Sequence, residues 1–273
     1  MTADLPIDMN PEVPHPARMY DLLLGGTSGF DSDRAALARV GEAVGGIDFC
    51  RADARSNRDF LARAVRAMAT AGVNQFFDIG TGIPNAIDDT HTLAMSLVPD
   101  ARVVSVDNDP VVLAHSHHLV RALEGGAAGF VWGDLRDPRH LLAAAGDVLD
   151  LREPVGLLLV AILHLLTDDE HPADLVAQLV DALAPGSYLT ITHLSDDLAP
   201  TGLIEALNKT KGRDPFTARS AAELAPFLSG LELLEPGLVA VHEWRPDPDR
   251  DAPLPAGRRP SFYGAVAHKR RTP

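Results

Sequence analysis

Apolar residues recur at helical spacing through the first seventy residues of the chain. The segment ARMYDLLLGG carries Met19, Leu22 and Leu23 on one side of a predicted helix and ends at a double glycine. Further helices are predicted in DSDRAALARVGEAV and in DFCRADARSNRDFLARAVRAMATAG, which ends at Gly72. Since no strand pattern occurs here, residues 1–70 are predicted to form an N-terminal arm and a helical cap.

From residue 71 to residue 273 the pattern alternates between short apolar strands and helices. The predicted strands are VNQFFDIG, ARVVSVDND, AGFVWGD, PVGLLLVAIL and SYLTITHLS, and a helix pattern follows each of them. This alternation predicts one α/β domain over residues 71–273, with a doubly wound, mostly parallel sheet. No full helix separates the last two apolar segments, LELLEPGLVAVHEW and SFYGAVAH, which predicts an antiparallel pair at one edge.

The composition narrows the class of partners. The 273-residue chain has a formal net charge of −14 and 46% hydrophobic residues, so it can fill a sizeable core but repels phosphate backbones. Its one cysteine, Cys50, rules out a disulfide framework within the chain and is expected in the core. The N-terminal segment lacks the apolar stretch of a signal peptide, and the longest apolar run is too short to span a membrane. We therefore expect a cytoplasmic protein, with a homodimer as a possible assembly and a small molecule rather than nucleic acid or membrane as its partner.

The segment FFDIGTGIPN, residues 76–85, has the features of a nucleotide-binding turn. A predicted strand passes through Asp78 and is followed by Gly80 and Gly82, which let the backbone turn tightly and approach a ligand closely. The next predicted strand ends at Asp107, whose carboxylate could accept both hydroxyls of a ribose. In open α/β sheets, ligands bind outside the carboxyl ends of the strands, where these residues are expected.

Two cofactor classes fit such a turn, and Asp78 separates them. NAD-binding turns carry the pattern G-x-G-x-x-G, and this chain has Asn85 in place of the third glycine. A carboxylate two residues before the first glycine would repel a pyrophosphate, but it suits a ligand with a positive amine or sulfonium. The turn therefore favours S-adenosylmethionine, and an NAD-dependent oxidoreductase is the less favoured alternative.

Several segments together resemble a known family. QFFDIGTGIPN, ARVVSVDNDPVVLAH, GDLRDP, LLLVAILHLL and PGSYLTITH are similar to segments of the S-adenosyl methyltransferase family that was long catalogued as a bacterial domain of unknown function. RMYDLLLGGTSGFDSDR, NRDFLARAVR and LLEPGLVAVHEWRP resemble its flanking segments, so the resemblance extends from about Ala17 to His268. It implies a class I, Rossmann-like methyltransferase domain that uses S-adenosylmethionine and carries an N-terminal helical extension.

The resemblance also implies cofactor contacts at the strand ends. The methionine part would be held by Asp78, Gly80 and Gly82, and the ribose by Asp107. The adenine would lie beside Asn108, Asp134 and Leu135. The reactive methyl group would lie near Val160 and Ala161. Asp134 could instead be a helix N-cap. Val160 and Ala161 could also belong to the core.

Further candidates lie after the fourth strand and in the helical cap. His164 stands where methyltransferases place groups that face the acceptor, and it could take a proton from the nucleophile or be a loop histidine. His193, at the end of the fifth strand, is a second candidate. Extensions of this kind fold over the cofactor, so Tyr20, Gly25 and Arg58 are expected to contact it. An arginine suits the methionine carboxylate, and the alternative is a solvated helix face.

The histidines of HSHH do not predict a metal site. On a helix, His115 and His118 share a face but His117 does not, and no carboxylate or cysteine completes the site. No metal is therefore expected.

The function that these signals favour is S-adenosylmethionine-dependent methyl transfer to an unidentified small molecule. Methyl transfer needs no protein nucleophile, because the sulfonium is already activated and positioning supplies much of the rate. The alternative is a non-catalytic sensor or partner protein that binds S-adenosylmethionine or S-adenosylhomocysteine, since no acceptor motif such as Asn-Pro-Pro-Tyr follows the fourth strand.

Overall fold

The structure, a computed structural model, describes residues 10–84, 89–122 and 128–270. The helices in these ranges are α1 (Pro16–Leu23), α2 (Asp31–Val44), α3 (Ile47–Thr70), α4 (Thr90–Leu97), α5 (Pro110–Ala122), α6 (Pro138–Ala145), α7 (Pro172–Ala182), α8 (Leu203–Asn208) and α9 (Ala221–Leu224). The strands are β1 (Gln75–Ile79), β2 (Arg102–Asp107), β3 (Ala128–Trp132), β4 (Gly156–Leu159), β5 (Tyr188–Leu194), β6 (Glu232–Leu233), β7 (Val239–Ala240) and β8 (Phe262–His268).

The strands form one sheet in the order β3-β2-β1-β4-β5-β8-β6, and β7 also pairs with β8. Strands β1 to β5 are parallel, whereas β8 runs antiparallel to β5, β6 and β7. The order reverses between β1 and β4, which is the point where doubly wound sheets bind ligands. The predicted fold class is confirmed: a mostly parallel, Rossmann-like sheet with an antiparallel edge and N-terminal helices.

Alternate residues of the strands face two separate cores. Phe77 of β1 packs in the cluster that holds Leu141 of α6 and Leu179 of α7, whereas Phe76 packs with Met68 of α3 on the other face. Both faces are therefore covered by helices. This explains why the central strands read as continuous apolar runs rather than alternating ones.

Helix α3 packs directly on the sheet. Phe60, Leu61 and Met68 are fully or almost fully buried in the same cluster as Phe76 and Val266 of the sheet. The helix thus shares a core with the residues that follow it, and the division into a cap over 1–70 and a domain over 71–273 stays a prediction.

Charged side chains fix α1 over the tip of β2. His15 Nδ1 lies 2.8 Å from Asp109 Oδ2. Arg18 Nε lies 3.4 Å from Asp109 and 3.5 Å from Asp33 of α2. Because Arg18, Asp33 and Asp109 are all buried, this cluster sets how the first two helices sit above the sheet.

Two predicted elements differ in extent from the structure, and a third begins outside the described residues. β4 ends at Leu159 and not at Leu163, because Ala161 has a φ of 56° and donates its N–H to Thr192 Oγ1 at 2.8 Å. The predicted strand 231–244 is interrupted at Pro236 and Gly237 and yields only β6 and β7; β8 lies inside the sheet between β5 and β6. The helix predicted from residue 85 is described only from α4 onward, and residues 85–88, including Asn85, lie outside the described part.

No helix within the described ranges combines the length and the apolar composition needed to cross a membrane.

Candidate cofactor site

A deep cavity opens at the carboxyl ends of β1, β2 and β4, where the strand order reverses. Helices α1 and α3 form its opposite wall. Residues 209–217, the closing segment that follows α8, border one side through Asp214 and Phe216. The empty volume is about 1660 Å³ with the solvent-filled mouth included. A ligand in this cavity would contact the strand tips on one side and the N-terminal helices on the other.

The turn after β1 needs its glycines. Gly80 has a φ of 79° and Gly82 a φ of 69°, a region that L side chains rarely adopt. Gly80 N–H donates to Val106 O at 2.8 Å, and a Cβ at this position would overlap with Ile162 Cδ1. The turn is therefore pressed between β2 and the segment after β4, with its backbone facing the cavity.

Asp78 places a buried carboxylate under this turn. Its Oδ2 accepts from Thr81 Oγ1 at 3.0 Å and from Thr90 Oγ1 at 2.6 Å. Burial raises the pKa of Asp78, and the two hydroxyls and the charge of Arg58 oppose that rise. A carboxylate held in so dry a place is stabilised by a cationic ligand group.

Arg58 brings the opposite charge into the same cavity from α3. The side chain is 6% exposed, and its guanidinium lies 5.8 Å from the Tyr20 ring centroid. Arg58 Nε has no hydrogen-bond partner among the residues that the structure describes. A buried guanidinium with an unused donor is costly, so this position calls for an anionic ligand group.

Asp107, at the tip of β2, is held by three main-chain N–H groups. Gly82 N–H donates to Oδ2 at 2.9 Å, and the N–H groups of Asn108 and Asp109 donate to Oδ1 at 2.9 Å and 3.0 Å. A carboxylate offers about four lone-pair positions, so at least one remains for a ligand hydroxyl. Burial raises the pKa of Asp107, and the N–H groups oppose that rise.

Asp134 joins the third strand to the rim of the cavity. Its carboxylate accepts from Asn108 Nδ2 at 2.8 Å and from the Arg136 N–H at 3.0 Å. Burial alone would raise the pKa of Asp134, but these hydrogen bonds and the Arg136 charge bring it below its ordinary value. Leu135 is buried beside it and lines the cavity.

The closing segment is tied to this rim by ion pairs. Arg136 Nη2 donates to Asp214 Oδ1 at 3.1 Å, and Arg136 Nε also bonds to Glu170. Arg213 Nη2 lies 3.4 Å from Asp134 Oδ2. One arginine after β3 therefore connects Asp134, at the rim of the cavity, to the segment that carries Phe216.

His164 lies in the 3₁₀ turn after β4, 5% exposed. Its ring stacks on Phe216 with centroids 5.6 Å apart and meets Phe262 edge-on at 5.7 Å. Burial, with His193 and Arg219 as further causes, holds the pKa of His164 well below its ordinary value. His164 is therefore neutral near pH 7, and its Nδ1 has no hydrogen-bond partner in the described part of the chain.

Comparison with known proteins decides the family. The sequence model of the S-adenosyl methyltransferase family matches residues 2–270. The chain belongs to this family. The predicted resemblance is thereby confirmed, and with it the class of cofactor that the family is named for.

Two solved structures extend the likeness over the whole fold of this family member. A DUF574 family protein from Streptomyces avermitilis is 36% identical with a TM-score of 0.86, and the match covers 96% of this chain and 99% of that one. A candidate methyltransferase from Thermobifida fusca is 33% identical with a TM-score of 0.86, and the match covers 98% of this chain and 100% of that one.

A curated relative with a different name is also similar to this methyltransferase-family chain. The selenide, water dikinase of Burkholderia pseudomallei is 29% identical over 237 residues, which is 80% of this chain. The chain spans 65% of the length of that relative.

The cavity brings together nearly all of the residues predicted for the site. Those that line it are Tyr20, Arg58, Asp78, Gly80, Gly82, Asp107, Asn108, Asp134, Leu135, Val160, Ala161 and His164. Gly25 lies elsewhere: it is exposed, with a φ of 92°, directly after the residue that caps α1, so its backbone ends that helix.

His193, the second histidine candidate, lies behind the cavity wall. Its Nδ1 lies 2.7 Å from Leu194 O, and its Nε2 lies 2.9 Å from Arg219 Nη1. An arginine can only donate, so Nε2 accepts and Nδ1 carries the proton. Burial lowers the pKa of His193 to about 4, and the residue acts as a neutral structural link.

Cys50 lies in the core, as predicted, whereas the lack of a metal at the HSHH histidines stays a prediction. Cys50 is a free, buried thiol in the core, and burial raises its pKa to about 11. No group of metal-binding side chains occurs among the described residues. His115 is close to Ser28, and the side chains of His117 and His118 lie outside the described part.

Sequence reasoning missed several residues that line the cavity. They are Asp53, Arg136, Asp214, Phe216 and Phe262. Asp53 and Asn57 stand four residues apart on the face of α3 that also carries the buried Leu61. A polar pair on an otherwise apolar helix face was the signal that could have indicated Asp53.

Proposed function

We propose that this chain is an S-adenosylmethionine-dependent methyltransferase that acts on a small-molecule acceptor. The observation that carries the proposal is a pair of opposite buried charges that line one cavity: Arg58 with its unused Nε donor, and Asp78. The methionine part of S-adenosylmethionine has a carboxylate and an amine on the same carbon. Arg58 would bind the carboxylate, which gives its Nε a partner, and Asp78 would bind the amine, which brings a positive charge to a buried carboxylate.

The strand tips fit the rest of the cofactor. Asp107 has a lone pair left for a ribose hydroxyl, and Asp134 and Leu135 present an acceptor and an apolar surface for an adenine ring. The Gly80–Gly82 turn leaves room for a close backbone approach. A pyrophosphate at the turn after β1 would meet the buried carboxylate of Asp78, which argues against NAD.

The bound cofactor supplies a methyl group on a sulfonium that is already activated. The residues of this chain would bind and orient the reactants and exclude water from the reaction site. Val160 and Ala161 line the cavity between the Gly80 turn and His164, where a reacting group would sit. His164 is neutral and would accept a hydrogen bond from the nucleophile, which fixes its lone pair toward the methyl group.

Other functions remain as alternatives that experiments can separate. A sensor would bind the same cofactor without transferring a methyl group. An oxidoreductase would bind NAD, and the name of the curated Burkholderia relative points to ATP as a further ligand to test. A cytoplasmic location, a homodimer and the lack of a nucleic-acid partner stay predictions from the sequence.

Calorimetric titration of the full chain with S-adenosylmethionine, S-adenosylhomocysteine, NAD and ATP tests the binding step. We expect the first two to bind and the last two not to bind. Preferential binding of NAD or ATP would overturn the proposal. Incubation with methyl-labelled S-adenosylmethionine and a metabolite extract then separates enzyme from sensor: an enzyme moves the label onto a small molecule, whereas a sensor leaves it on the cofactor.

A further inference from the structure

Beyond the cofactor groups, the cavity continues into a mostly apolar space between α3 and β8. We name it the acceptor chamber and define it by Asp53, Asn57, His164, Leu194, Phe216 and Phe262. Leu194, Phe216 and Phe262 give it aliphatic and aromatic walls. Such walls suit a substrate with an apolar body and exclude a fully polar one.

Asn57 lines this space and carries a side-chain oxygen without a hydrogen-bond partner among the described residues. Its Nδ2 donates to the Tyr20 hydroxyl oxygen at 2.9 Å, and that hydroxyl donates its own proton to Ala54 O at 3.0 Å. The Tyr20 hydroxyl has only one proton, so it must accept from Asn57, and the orientation of the amide follows. Asn57 Oδ1 is then left buried without a hydrogen-bond partner in the described part of the molecule.

Asp53 stands one helical turn before Asn57 on the same face of α3. The side chain is 6% exposed, and Oδ1 accepts from the Ser261 N–H at 3.0 Å. The next residue, Phe262, packs edge-on against His164, so Asp53 and His164 flank the same aromatic wall. The chamber thus has polar groups, Asp53 and His164, that each contact the start of β8 or the residue before it.

The polar groups of α3 in the chamber are hydrogen-bond acceptors. Asn57 Oδ1 and the Asp53 carboxylate can only accept, and His164 Nδ1 is a further ring nitrogen without a partner among the described residues. An ammonium group has three donors and no acceptor, so it complements this set. A carboxylate or phosphate would face acceptors on both sides.

The charges around the cavity also favour a ligand with a positive group. Its lining carries the carboxylates of Asp21, Asp53, Asp78, Asp107, Asp134 and Asp214 against the guanidinium groups of Arg58 and Arg136. Arg136 is already bonded to Asp134 and Asp214. The remaining field is negative, which attracts a cation and disfavours an anionic or phenolate acceptor.

We propose that the acceptor is an amine on an apolar body, and that Asp53 binds its ammonium group and takes its proton before methyl transfer. This inference rests on the proposed methyltransferase function and names its substrate class. The protein groups that contact the nitrogen are Asp53 and Asn57 on one side and His164 on the other.

The step balances in atoms and charge. The bound ammonium gives one proton to the Asp53 carboxylate, and the freed nitrogen lone pair attacks the methyl carbon. The nitrogen–carbon bond forms as the carbon–sulfur bond breaks, and the electron pair of that bond goes to sulfur. The products are a methylated ammonium and S-adenosylhomocysteine, and Asp53 then releases its proton to solvent. Burial raises the pKa of Asp53 to about 7, so it is a stronger proton acceptor than His164.

The binding test uses three ligands that share one skeleton: phenethylamine, 2-phenylethanol and phenylacetate. Each is added to the full chain loaded with S-adenosylhomocysteine, and the shift in melting temperature is measured. We expect the amine to stabilise the loaded protein more than the alcohol, and the acid not to stabilise it. An equal or larger shift with the alcohol or the acid, or no shift with the amine, would overturn the inference.

The variant Asp53→Asn keeps an acceptor for the Ser261 N–H but removes the charge. Its matched control is Asp59→Asn, on the same helix, where Asp59 accepts the Ala252 N–H at 2.9 Å and does not line the cavity. We expect Asp53→Asn to lose the preference for the amine over the alcohol, and to lower kcat/KM for amine methylation by about 100-fold. Asp59→Asn should change neither.

Affinity for S-adenosylhomocysteine distinguishes a failure of this inference from a failure of the proposed function. If Asp53→Asn binds it as wild type does but no longer prefers the amine, the inference is supported. If wild type binds the cofactor and methylates the phenol tyramine on oxygen instead of nitrogen, only the inference fails. If wild type binds no cofactor, the proposed function fails first.

Discussion

The main-chain N–H of Gly82 donates to Asp107 Oδ2 at 2.9 Å and so joins the turn after β1 to the tip of β2. The same carboxylate accepts the N–H groups of Asn108 and Asp109 through its other oxygen. One side chain thus fixes the backbone of both strand ends that face the cavity. The shape of the cavity at these two strand ends depends on it.

Replacing Asp107 with alanine should weaken S-adenosylhomocysteine binding by about 10- to 150-fold, because a charge-assisted hydrogen bond contributes about 1.5–3 kcal/mol. Calorimetric titration measures the loss. Asp137→Ala is the control, since Asp137 caps α6 by accepting the His140 N–H and lies outside the cavity lining. Unchanged affinity in Asp107→Ala would show that the ribose lies elsewhere.

Gly80→Ala should destabilise the protein by more than Gly72→Ala. Both glycines have positive φ, 79° and 91°, so both variants carry a similar backbone strain of about 1–2 kcal/mol. Only at Gly80 does the new Cβ also overlap with Ile162, whereas space around Gly72 is open. Urea denaturation gives the two free energies of unfolding, and equal losses would contradict the packing described here.

The stability of the protein should fall as pH drops from about 6.5 to about 4, and His193 should cause part of that fall. The pKa of His193 is lowered to about 4 by burial, so the unfolded chain binds a proton that the folded chain refuses. The free energy of unfolding then rises with pH across this window, by up to about 1.4 kcal/mol per pH unit for one histidine. His193→Gln should flatten the slope, while the exposed His140→Gln should not. If the free energy of unfolding changes with pH equally in wild type, His193→Gln and His140→Gln, then His193 does not cause the fall in stability.

Asp53→Asn should be more stable than wild type at pH 8 and not at pH 4. Burial raises the pKa of Asp53 to about 7 from an ordinary 3.8, so ionising this carboxyl costs stability as pH rises through that range. Asparagine avoids the cost and still accepts the Ser261 N–H, and we expect a gain of at least about 1 kcal/mol at pH 8. A gain of the same size at both pH values would mean that charge is not its cause.

The position of the turn after β1 was predictable because its residues are close in sequence. Asp78, Gly80 and Gly82 follow one apolar strand, and parallel strands bring Asp107 to the same edge of the sheet. Local pattern and sheet topology therefore determine where these residues lie.

The acceptor side was not predictable in the same way. Asp53 becomes buried through contact with Ser261, 208 positions later in the chain, and Arg136 meets Asp214 across 78 positions. Such pairs leave no periodic signal in the sequence. A polar residue on a helix is therefore predicted to be exposed to solvent as long as its partner is unknown. Gly25 lies outside the cavity lining, directly after the residue that caps α1, and its expected contact with the cofactor stays a prediction.

The placement of Arg58 and Asp78 on the methionine part of the cofactor is tested most directly by comparing two ligands. S-adenosylhomocysteine carries the amino-acid group, and 5′-methylthioadenosine lacks it. Arg58→Gln and Asp78→Asn should each weaken S-adenosylhomocysteine binding by about 10- to 100-fold and leave methylthioadenosine binding unchanged within about twofold. Equal losses for both ligands, or equal affinity of wild type for both, would contradict the account.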